Sequence, residues 1–296
     1  MSDADYIDHY GDGRWYDAEY VHMRGDIDYY VGIAASSPGP LLELAAGTGR
    51  LAIPMAQAGA EVVGVDCAPA MVEEAERKRA ALPFGDRDRL TFLEGDMRSL
   101  RLHRKFSRVV LAFNTLMHMT EDADLVATLA TVRAHLGADG LFCFDLHTPY
   151  PSLPKRDPNG RYDPQQMFDP RTGARIVVTE NSDYDPRTQI NTMRFFYQEV
   201  TKDDRPVGRE RFTELRLRVI FPRELDHYLD AAGFEIVGDF DDFSETLPFS
   251  GRGGRRVVHA RVKAAGAAIA AAAARCDGDR GSQRSIAPST SGGADA

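Results

Sequence analysis

The sequence predicts an α/β protein in which a mainly parallel sheet is followed by an inserted antiparallel meander. Between Leu41 and Leu146, short apolar runs alternate with helical segments at a spacing typical of βαβ units with right-handed crossovers. From Arg175 onwards, long β-rich runs are separated by the turn sequences "DPRT" and "KDDRP". These two patterns of secondary structure predict one sheet-based core and a β-layer inserted after its fifth strand.

Each core element follows from a local pattern. Apolar runs predict five strands: Leu41–Ala45, Glu61–Asp66, Leu90–Glu94, Phe106–Phe113 and Leu141–Leu146. Helical patterns between them predict three helices: Leu51–Ala58, Pro69–Ala81 and Asp122–Leu136. Gly59 and Gly137 are expected to end the first and third helices, and Pro69 to open the second.

The second half contains the meander and the end of the core. Three long strands are predicted at Arg175–Tyr184, Gln189–Thr201 and Val207–Phe221. A helix over Pro222–Gly233 and two strands, Phe234–Phe240 and Arg255–Val262, follow. The last residues are rich in Ala, Gly, Ser and Arg, with almost nothing large to bury, so this tail is expected to be disordered.

Composition excludes several classes of protein. The 296 residues carry a net charge of −9, which argues against non-specific binding to nucleic acid, because that affinity comes mostly from neutralised phosphates. The acidic N-terminal segment is not expected to be a secretory signal, and no membrane span is expected. Three scattered cysteines and eight histidines without ligand spacing predict a cytoplasmic protein with no metal site.

A glycine turn follows the first predicted strand in "LLELAAGTGRLA". Gly47 to Ala52 fit the pattern G-x-G-x-x-A, and Asp66 falls about twenty residues later, where ribose hydroxyls are bound. This pattern alone is weak, because it suits any adenosine ligand. An NAD(P)-linked oxidoreductase is therefore one interpretation.

Two carboxylates favour a different ligand. Glu43, just ahead of the turn, would repel a pyrophosphate but attract an α-amino group and a sulfonium centre. S-adenosylmethionine (SAM) has both, and Arg50 or loop N–H groups would meet its carboxylate. Asp96, in "EGDM", is placed to accept from an adenine amine, and Met97 adds a backbone N–H and an apolar flank. SAM therefore fits better than NAD.

Four segments in order, over Leu41–Met119, resemble the class I SAM-dependent methyltransferases: "LLELAAGTGR", "EVVGVDCAPAMVEEAERK", "LTFLEGDMRSL" and "FSRVVLAFNTLMHM". The similarity continues more loosely to Val262. It implies a Rossmann-like seven-stranded sheet whose last strand, Arg255–Val262, is antiparallel. Ala45 departs from the family, which often has glycine there; we expect it to have an ordinary φ and to leave binding intact.

The resemblance also implies a cofactor site. The positions carried over are Ala45, Gly47 and Gly49 for the methionine part, Asp66 for the ribose, Cys67 and Met71 for the flanks of the adenine, Asp96 and Met97 for its polar edge, and Ala112 and Phe113 for the methionine end. Tyr16 and Tyr20 resemble lid tyrosines that touch the cofactor or the acceptor in small-molecule methyltransferases. The alternative is a helix that packs these rings into the core.

The acceptor side is predicted from three features. His118 follows the fourth strand, on the loop that faces the transferred methyl in this family, and is the candidate catalytic base; the alternative is that it caps a helix or packs under the lid. Asn114 is a candidate positioning residue on the same loop, and His147 is a weaker second base. The meander resembles the auxiliary β-layer of glycine/sarcosine-type and amino-sugar N-methyltransferases.

Three arginines lie on the meander's predicted strands, namely Arg194, Arg216 and Arg218. They would clamp a carboxylate or phosphate of the substrate. The alternative is that they lie on solvated faces and pair with the acidic residues Glu199, Glu210 and Glu214.

These inferences predict a cytoplasmic enzyme that moves a methyl group from SAM to an amine or hydroxyl of a small molecule. Its predicted parts are an aromatic lid (1–40), a SAM-binding core (41–150), the meander over the acceptor (151–221), the C-terminal part of the core (222–263) and the tail (264–296). Two alternatives remain: an RNA-modifying methyltransferase, supported by an arginine-rich set, and a SAM-binding regulatory protein without turnover. The sequence leaves the oligomeric state open.

Overall fold

A computed structural model of the protein describes residues 5–149 and 156–264, so nearly all of the predicted tail lies outside the described residues. Eleven strands are described. In chain order they are β1 (Leu41–Leu44), β2 (Val62–Asp66), β3 (Leu90–Glu94), β4 (Phe106–Leu111), β5 (Leu136–His147), β6 (Tyr162–Phe168), β7 (Arg175–Asp185), β8 (Ile190–Val200), β9 (Pro206–Arg218), β10 (Phe234–Asp241) and β11 (Arg255–Val262). All ten strands that the sequence predicts are present, with ends that shift by a few residues.

Seven helices accompany them. They are α1 (Gly13–Glu19), α2 (Ile27–Ala35), α3 (Ala52–Gln57), α4 (Pro69–Ala80), α5 (Phe84–Arg87), α6 (Asp122–His135) and α7 (Pro222–Ala231). The four helices predicted with bounds are confirmed as α3, α4, α6 and α7. Pro69 and Pro222 each occupy a first helical position, where a missing N–H costs nothing. No helix of the described residues is long and apolar enough to cross a membrane.

The core sheet has the strand order β3-β2-β1-β4-β5-β11-β10. Strands β1 to β5 are parallel, whereas β11 runs antiparallel between β5 and β10. All four residues of β1 are buried, because helices cover both faces: α6 and α7 on one, and α2 and α3 on the other. The predicted seven-stranded sheet with an antiparallel last strand is confirmed.

A second, antiparallel sheet with the order β6-β7-β8-β9 follows β5 in the chain. The predicted inserted meander is therefore confirmed, and it has one strand more than the sequence indicated. That strand, β6, was missed because its sequence "YDPQQMF" is mostly polar and contains proline.

Strand β5 is longer than predicted. It begins at Leu136, directly after α6, and includes Gly137 and Gly140. Its pairing with β4 shifts between Phe106 and Arg108, which face Leu136 and Leu141, so a bulge absorbs the extra residues. Gly137 therefore belongs to an irregular strand start, where the sequence predicted a helix end.

A buried carboxylate near the end of β5 joins four parts of the core. Asp145 is fully buried and accepts hydrogen bonds from Tyr30 Oη (2.7 Å) and the N–H of Phe113 (3.0 Å), and it forms an ion pair with Arg255. It thus connects β5 with α2, with the loop after β4 and with β11. Both members of the ion pair are almost fully shielded from water.

Replacing Asp145 by Asn would leave the Arg255 guanidinium buried without its counter-charge. We expect Asp145→Asn to lower the free energy of unfolding by about 3–5 kcal/mol, measured by urea denaturation. The matched control is Tyr30→Phe, which removes only the neutral donor and should cost about 1 kcal/mol. Equal losses in the two variants would contradict the role of the ion pair.

Candidate active site

A cavity of about 670 Å³ lies at the carboxyl ends of β1 to β4. The order of the sheet reverses between β1 and β4, which is where open α/β sheets bind ligands. Residues 9–23 and the inner face of the second sheet contribute the remaining walls. The cavity is therefore enclosed by three parts of the chain that are far apart in sequence.

The turn after β1 contains three residues with left-handed backbone conformations. Ala45 has φ +53°, Gly47 +55° and Gly49 +78°. The expectation of an ordinary φ at Ala45 is wrong: the chain must reverse directly after β1, and Ala45 adopts the conformation for which glycine is usually required. Ala45 and Gly47 line the cavity, whereas Gly49 lies behind it, since a Cβ there would lie 2.6 Å from Phe92 Cζ.

Asp66 lies at the end of β2 and lines the cavity. Its carboxylate accepts the N–H of Gly47 at 2.7 Å and that of Ala68 at 2.9 Å, so it holds the glycine turn against the neighbouring strand. Burial raises the pKa of Asp66 above its usual range, although these N–H groups oppose the shift. The carboxylate keeps accepting capacity for hydroxyl groups of a ligand.

The predicted adenine residues come together on one wall of the cavity. Cys67, Met71, Asp96 and Met97 all line it. The Asp96 carboxylate pairs with Arg98 at 2.6 Å, and this pairing lowers the pKa of Asp96. The wall combines thioether and thiol groups with one ionised carboxylate, a surface suited to a flat polar-edged ring.

Glu43 and Arg50 do not line the cavity within the described residues. Glu43 is buried, its Oε2 has no hydrogen-bond partner, and burial raises its pKa to about 8. The expectation that Glu43 contributes a negative charge beside the turn is therefore wrong near neutral pH. The Arg50 guanidinium donates to both carboxylate oxygens of Asp26, at 2.7 and 2.5 Å, and is thus already paired.

The loop after β4 presents the candidate base. Ala112 is buried behind the wall, while Phe113 and Asn114, with φ of +60° and +62°, line the cavity and lead into a 3₁₀ turn that ends at His118. Burial lowers the pKa of His118, so its imidazole is neutral at pH 7. Its Nε2 lies 3.1 Å from Tyr10 Oη.

Asn114 acts through its amide oxygen. Oδ1 accepts the N–H of His147 at 2.7 Å and an Arg255 N–H at 3.2 Å, so Asn114 connects this loop to the ends of β5 and β11. His147 also lines the cavity. The predicted positioning residue therefore holds the loop, although its side chain points to protein groups.

An aromatic cluster from the N-terminal segment lines one side of the cavity. Tyr16 and Tyr20 line it as predicted, with ring centroids 4.7 Å apart, and Tyr20 also contacts Phe113 at 5.3 Å. His9 lies within this cluster, and its Nε2 is 3.2 Å from Tyr20 Oη. His9, Tyr10 and Glu19 were missed from sequence, although the density of tyrosines near the N-terminus marked the segment.

The three arginines of the second sheet do not line the cavity, so the prediction that they clamp the substrate is wrong. On β8, the cavity is lined by Asn191, Met193 and Phe195, and strand alternation turns Arg194 to the opposite face. Arg194 pairs there with Glu214 at 2.8 Å, as the alternative interpretation held. The other two arginines are also accounted for: Arg216 is exposed, and Arg218 is buried between Asp122 (2.6 Å) and Glu224 (2.5 Å).

Comparison with known proteins agrees with this geometry. Residues 41–140 match a family model described as a methyltransferase domain. The chain is 27% identical to YqeM of Bacillus subtilis (strain 168), itself only provisionally assigned as a methyltransferase, over 220 residues that cover 73% of this chain and 82% of that protein.

Two further relatives extend the comparison. The solved structure of the CcbJ methyltransferase from Streptomyces caelestis superimposes with a TM-score of 0.66 at 27% identity, covering 81% of this chain and 95% of that one. The dTDP-3-amino-3,4,6-trideoxy-alpha-D-glucopyranose N,N-dimethyltransferase of Streptomyces venezuelae is 32% identical over 146 residues, 48% of this chain and 56% of that protein. The match thus spans about half of this last relative.

The strand order, the glycine turn with Asp66 and these similarities together define the class. The chain is a class I SAM-dependent methyltransferase.

Replacing Ala45 by glycine should stabilise the protein. The left-handed conformation costs an alanine about 1–2 kcal/mol, part of which the greater chain entropy of glycine offsets. We expect Ala45→Gly to raise the free energy of unfolding by roughly 0.5–1 kcal/mol in urea titrations. Ala58→Gly, at the end of α3 with φ −76°, is the control and should not stabilise. A loss of stability in Ala45→Gly would contradict the observed backbone conformation.

Glu43 should make stability fall as the pH rises. Its pKa is raised from an ordinary 4.5 to about 8, so between these values the folded protein binds the proton and the unfolded chain does not. The contribution of Glu43 is complete below about pH 4.5 and is lost as the pH rises through about 8. Stability should therefore fall steadily with pH between these two values.

We therefore expect Glu43→Gln to gain stability relative to the unmodified protein between pH 5 and pH 8, as measured by urea denaturation at several pH values. Glu73→Gln, which neutralises an exposed side chain on α4, controls for the loss of one charge. Parallel pH profiles for Glu43→Gln and the unmodified protein would show that Glu43 ionises normally.

Proposed function

We propose that this methyltransferase transfers the methyl group to an amine of a small molecule enclosed beneath the aromatic cluster and the second sheet. The observation that carries this proposal is a cavity, walled by the aromatic cluster and the second sheet, into which the loop after β4 presents the imidazole of His118. The Streptomyces venezuelae relative is named for dimethylation of a sugar amine, which supports an amine as acceptor.

The donor side of the site fits SAM. Asp66 offers carboxylate oxygens to the ribose hydroxyls, and the backbone of Ala45 and Gly47 lines the wall that would face the methionine part. Cys67 and Met71, on the same wall, would flank the adenine, and Asp96 and Met97 would hold its polar edge, with Asp96 accepting from the exocyclic amine. When bound, SAM supplies an already activated methyl group, so the protein needs mainly to orient the acceptor and exclude water.

On the acceptor side, His118 takes the proton that an amine must lose before it attacks. Burial lowers the pKa of His118, which favours the neutral imidazole that a base needs, and the hydroxyl of Tyr10, 3.1 Å from Nε2, orients the ring. Asn114 keeps this loop at the end of β5. Tyr16 and Tyr20 cover the site and reduce the access of water.

Nucleic acid as acceptor is not favoured by the arrangement of arginines. The arginine-rich set comprises Arg205, Arg209, Arg211, Arg216, Arg218, Arg252, Arg255 and Arg256. Three of these eight are held by buried or partly buried ion pairs: Arg218 with Asp122, Arg255 with Asp145 and Arg256 with Asp239. Paired guanidinium groups offer little charge to a phosphate backbone. A small acceptor therefore suits the site better.

The test is a screen of amines and hydroxy compounds with labelled SAM, with two variants alongside. Asp66→Ala should weaken SAM binding by about 1–3 kcal/mol in a calorimetric titration, because it removes hydrogen bonds to a charged group. His118→Ala should keep the affinity for SAM and lower turnover of amines by about 10²–10⁴-fold.

Three results would contradict the proposal. Unchanged affinity in Asp66→Ala would place the ribose elsewhere. Equal turnover in His118→Ala would remove this residue from the reaction. SAM binding without formation of S-adenosylhomocysteine from any acceptor would favour the alternative of a regulatory protein without turnover.

A further inference from the structure

The cavity contains many more acidic than basic side chains. Within the described residues it is lined by six carboxylates and by a single guanidinium, that of Arg98. The six acidic residues are Glu19, Asp66, Asp96, Asp124, Asp163 and Glu180. This excess favours a cationic ligand over an anionic one.

Four of these carboxylates are already paired with arginines. Arg98 lies 2.6 Å from Asp96 and 3.1 Å from Asp124. Arg156 lies 2.6 Å from Asp163 and 2.9 Å from Glu180. These four groups are therefore largely neutralised by the protein itself.

Glu19 differs from the others. Its Oε2 accepts the hydroxyl of Tyr197 at 2.9 Å, and no ion pair to Glu19 occurs within residues 5–149 and 156–264. Asp66 is likewise without a cationic side chain, but two backbone N–H groups hold it. Burial raises the pKa of Glu19 to about 7, because its carboxylate is removed from water without a neighbouring cation.

The surroundings of Glu19 suit a positive charge. Tyr16 and Tyr20 line the cavity with it, and the faces of tyrosine rings attract cations. His9 also lines this region, and burial lowers its pKa to about 4, so it adds no positive charge at pH 7. Because Tyr20 contacts Phe113, this region adjoins the loop after β4, where the methyl group would be presented.

We propose that Glu19 is the residue that binds the charged amine of the acceptor, and that this acceptor is a small protonated amine without phosphate groups. The inference rests on the proposed function and adds the residue that selects the substrate. The carboxylate supplies the counter-charge, and the tyrosine rings enclose the alkyl groups on nitrogen. The single lining guanidinium, held by two carboxylates, leaves no cation in the described lining for a phosphate.

The test compares two probes of the same shape, cyclohexylamine, which is cationic at pH 8, and cyclohexanol, which is neutral. Binding is followed by the fluorescence of Trp15, the only tryptophan of the chain, whose ring lies 5.5 Å from that of Tyr197. The full-length protein, with and without SAM, should bind the amine about tenfold or more tightly than the alcohol, the value of one charge-assisted contact.

Glu19→Gln keeps the shape and an oxygen for the Tyr197 hydroxyl but removes the charge. We expect it to abolish the preference for the amine while leaving affinity for cyclohexanol and for SAM unchanged. The matched control is Glu180→Gln, a lining carboxylate already paired with Arg156, which should keep the preference. Tyr197→Phe retains the Glu19 carboxylate and should therefore also keep the preference for the amine.

A preference for the amine that persists in Glu19→Gln would overturn the proposal. So would an unmodified protein that shows no preference for the amine, or a Glu180→Gln variant that loses this preference. These binding measurements do not depend on turnover. A protein that shows the Glu19-dependent preference yet methylates no amine would contradict the proposed function and leave Glu19 as an ammonium-binding residue.

Discussion

The buried contacts of Asp145 hold the active-site loop in place. The loop after β4 contains two consecutive residues in left-handed conformations, Phe113 and Asn114; asparagine tolerates this conformation, but phenylalanine rarely adopts it. Asp145 accepts the N–H of Phe113, and Arg255, its ion-pair partner, donates to the amide of Asn114. Two charged groups that are shielded from water therefore hold this strained loop. Strained backbone conformations persist only where the surrounding structure fixes them in this way.

The site has two halves, and different parts of the fold supply the residues of each half. The half proposed for the methyl donor is made of strand ends and a turn, where the parallel sheet itself places Asp66 and backbone groups. The half proposed for the acceptor combines His118, on the loop after β4, with side chains from the N-terminal segment and the second sheet, neither of which belongs to the core sheet's βαβ units. A fold of this kind keeps one methyl donor while its acceptor surface varies, because the two halves share few residues.

Several expectations about individual residues were wrong for one reason. A local sequence pattern does not show which way a side chain or the backbone points in the folded protein. Alternation along β8 and β9 was visible in the sequence, but which face meets the cavity depends on how the second sheet lies against the core, and this placed Arg194 on the far side. Glu43 precedes the turn as expected, yet the packing of the helices around β1 buries it and raises its pKa. Ala45 adopts a positive φ in the turn directly after β1, which the identity of the residue did not indicate.

The sequence by itself determined the alternation of strands and helices, the position of the glycine turn and the class of the enzyme, because these depend on short-range periodicity and on residues close together in the chain. The tertiary structure alone decided which groups meet. It brought Tyr10 to His118 across 108 positions and Glu19 to Tyr197 across 178. Contacts over such separations arise from the packing of whole elements, and no local pattern encodes them. For that reason the residues proposed to bind the cofactor could be named from the sequence, as could His118, whereas Tyr10, Glu19 and His9 were found only in the folded chain.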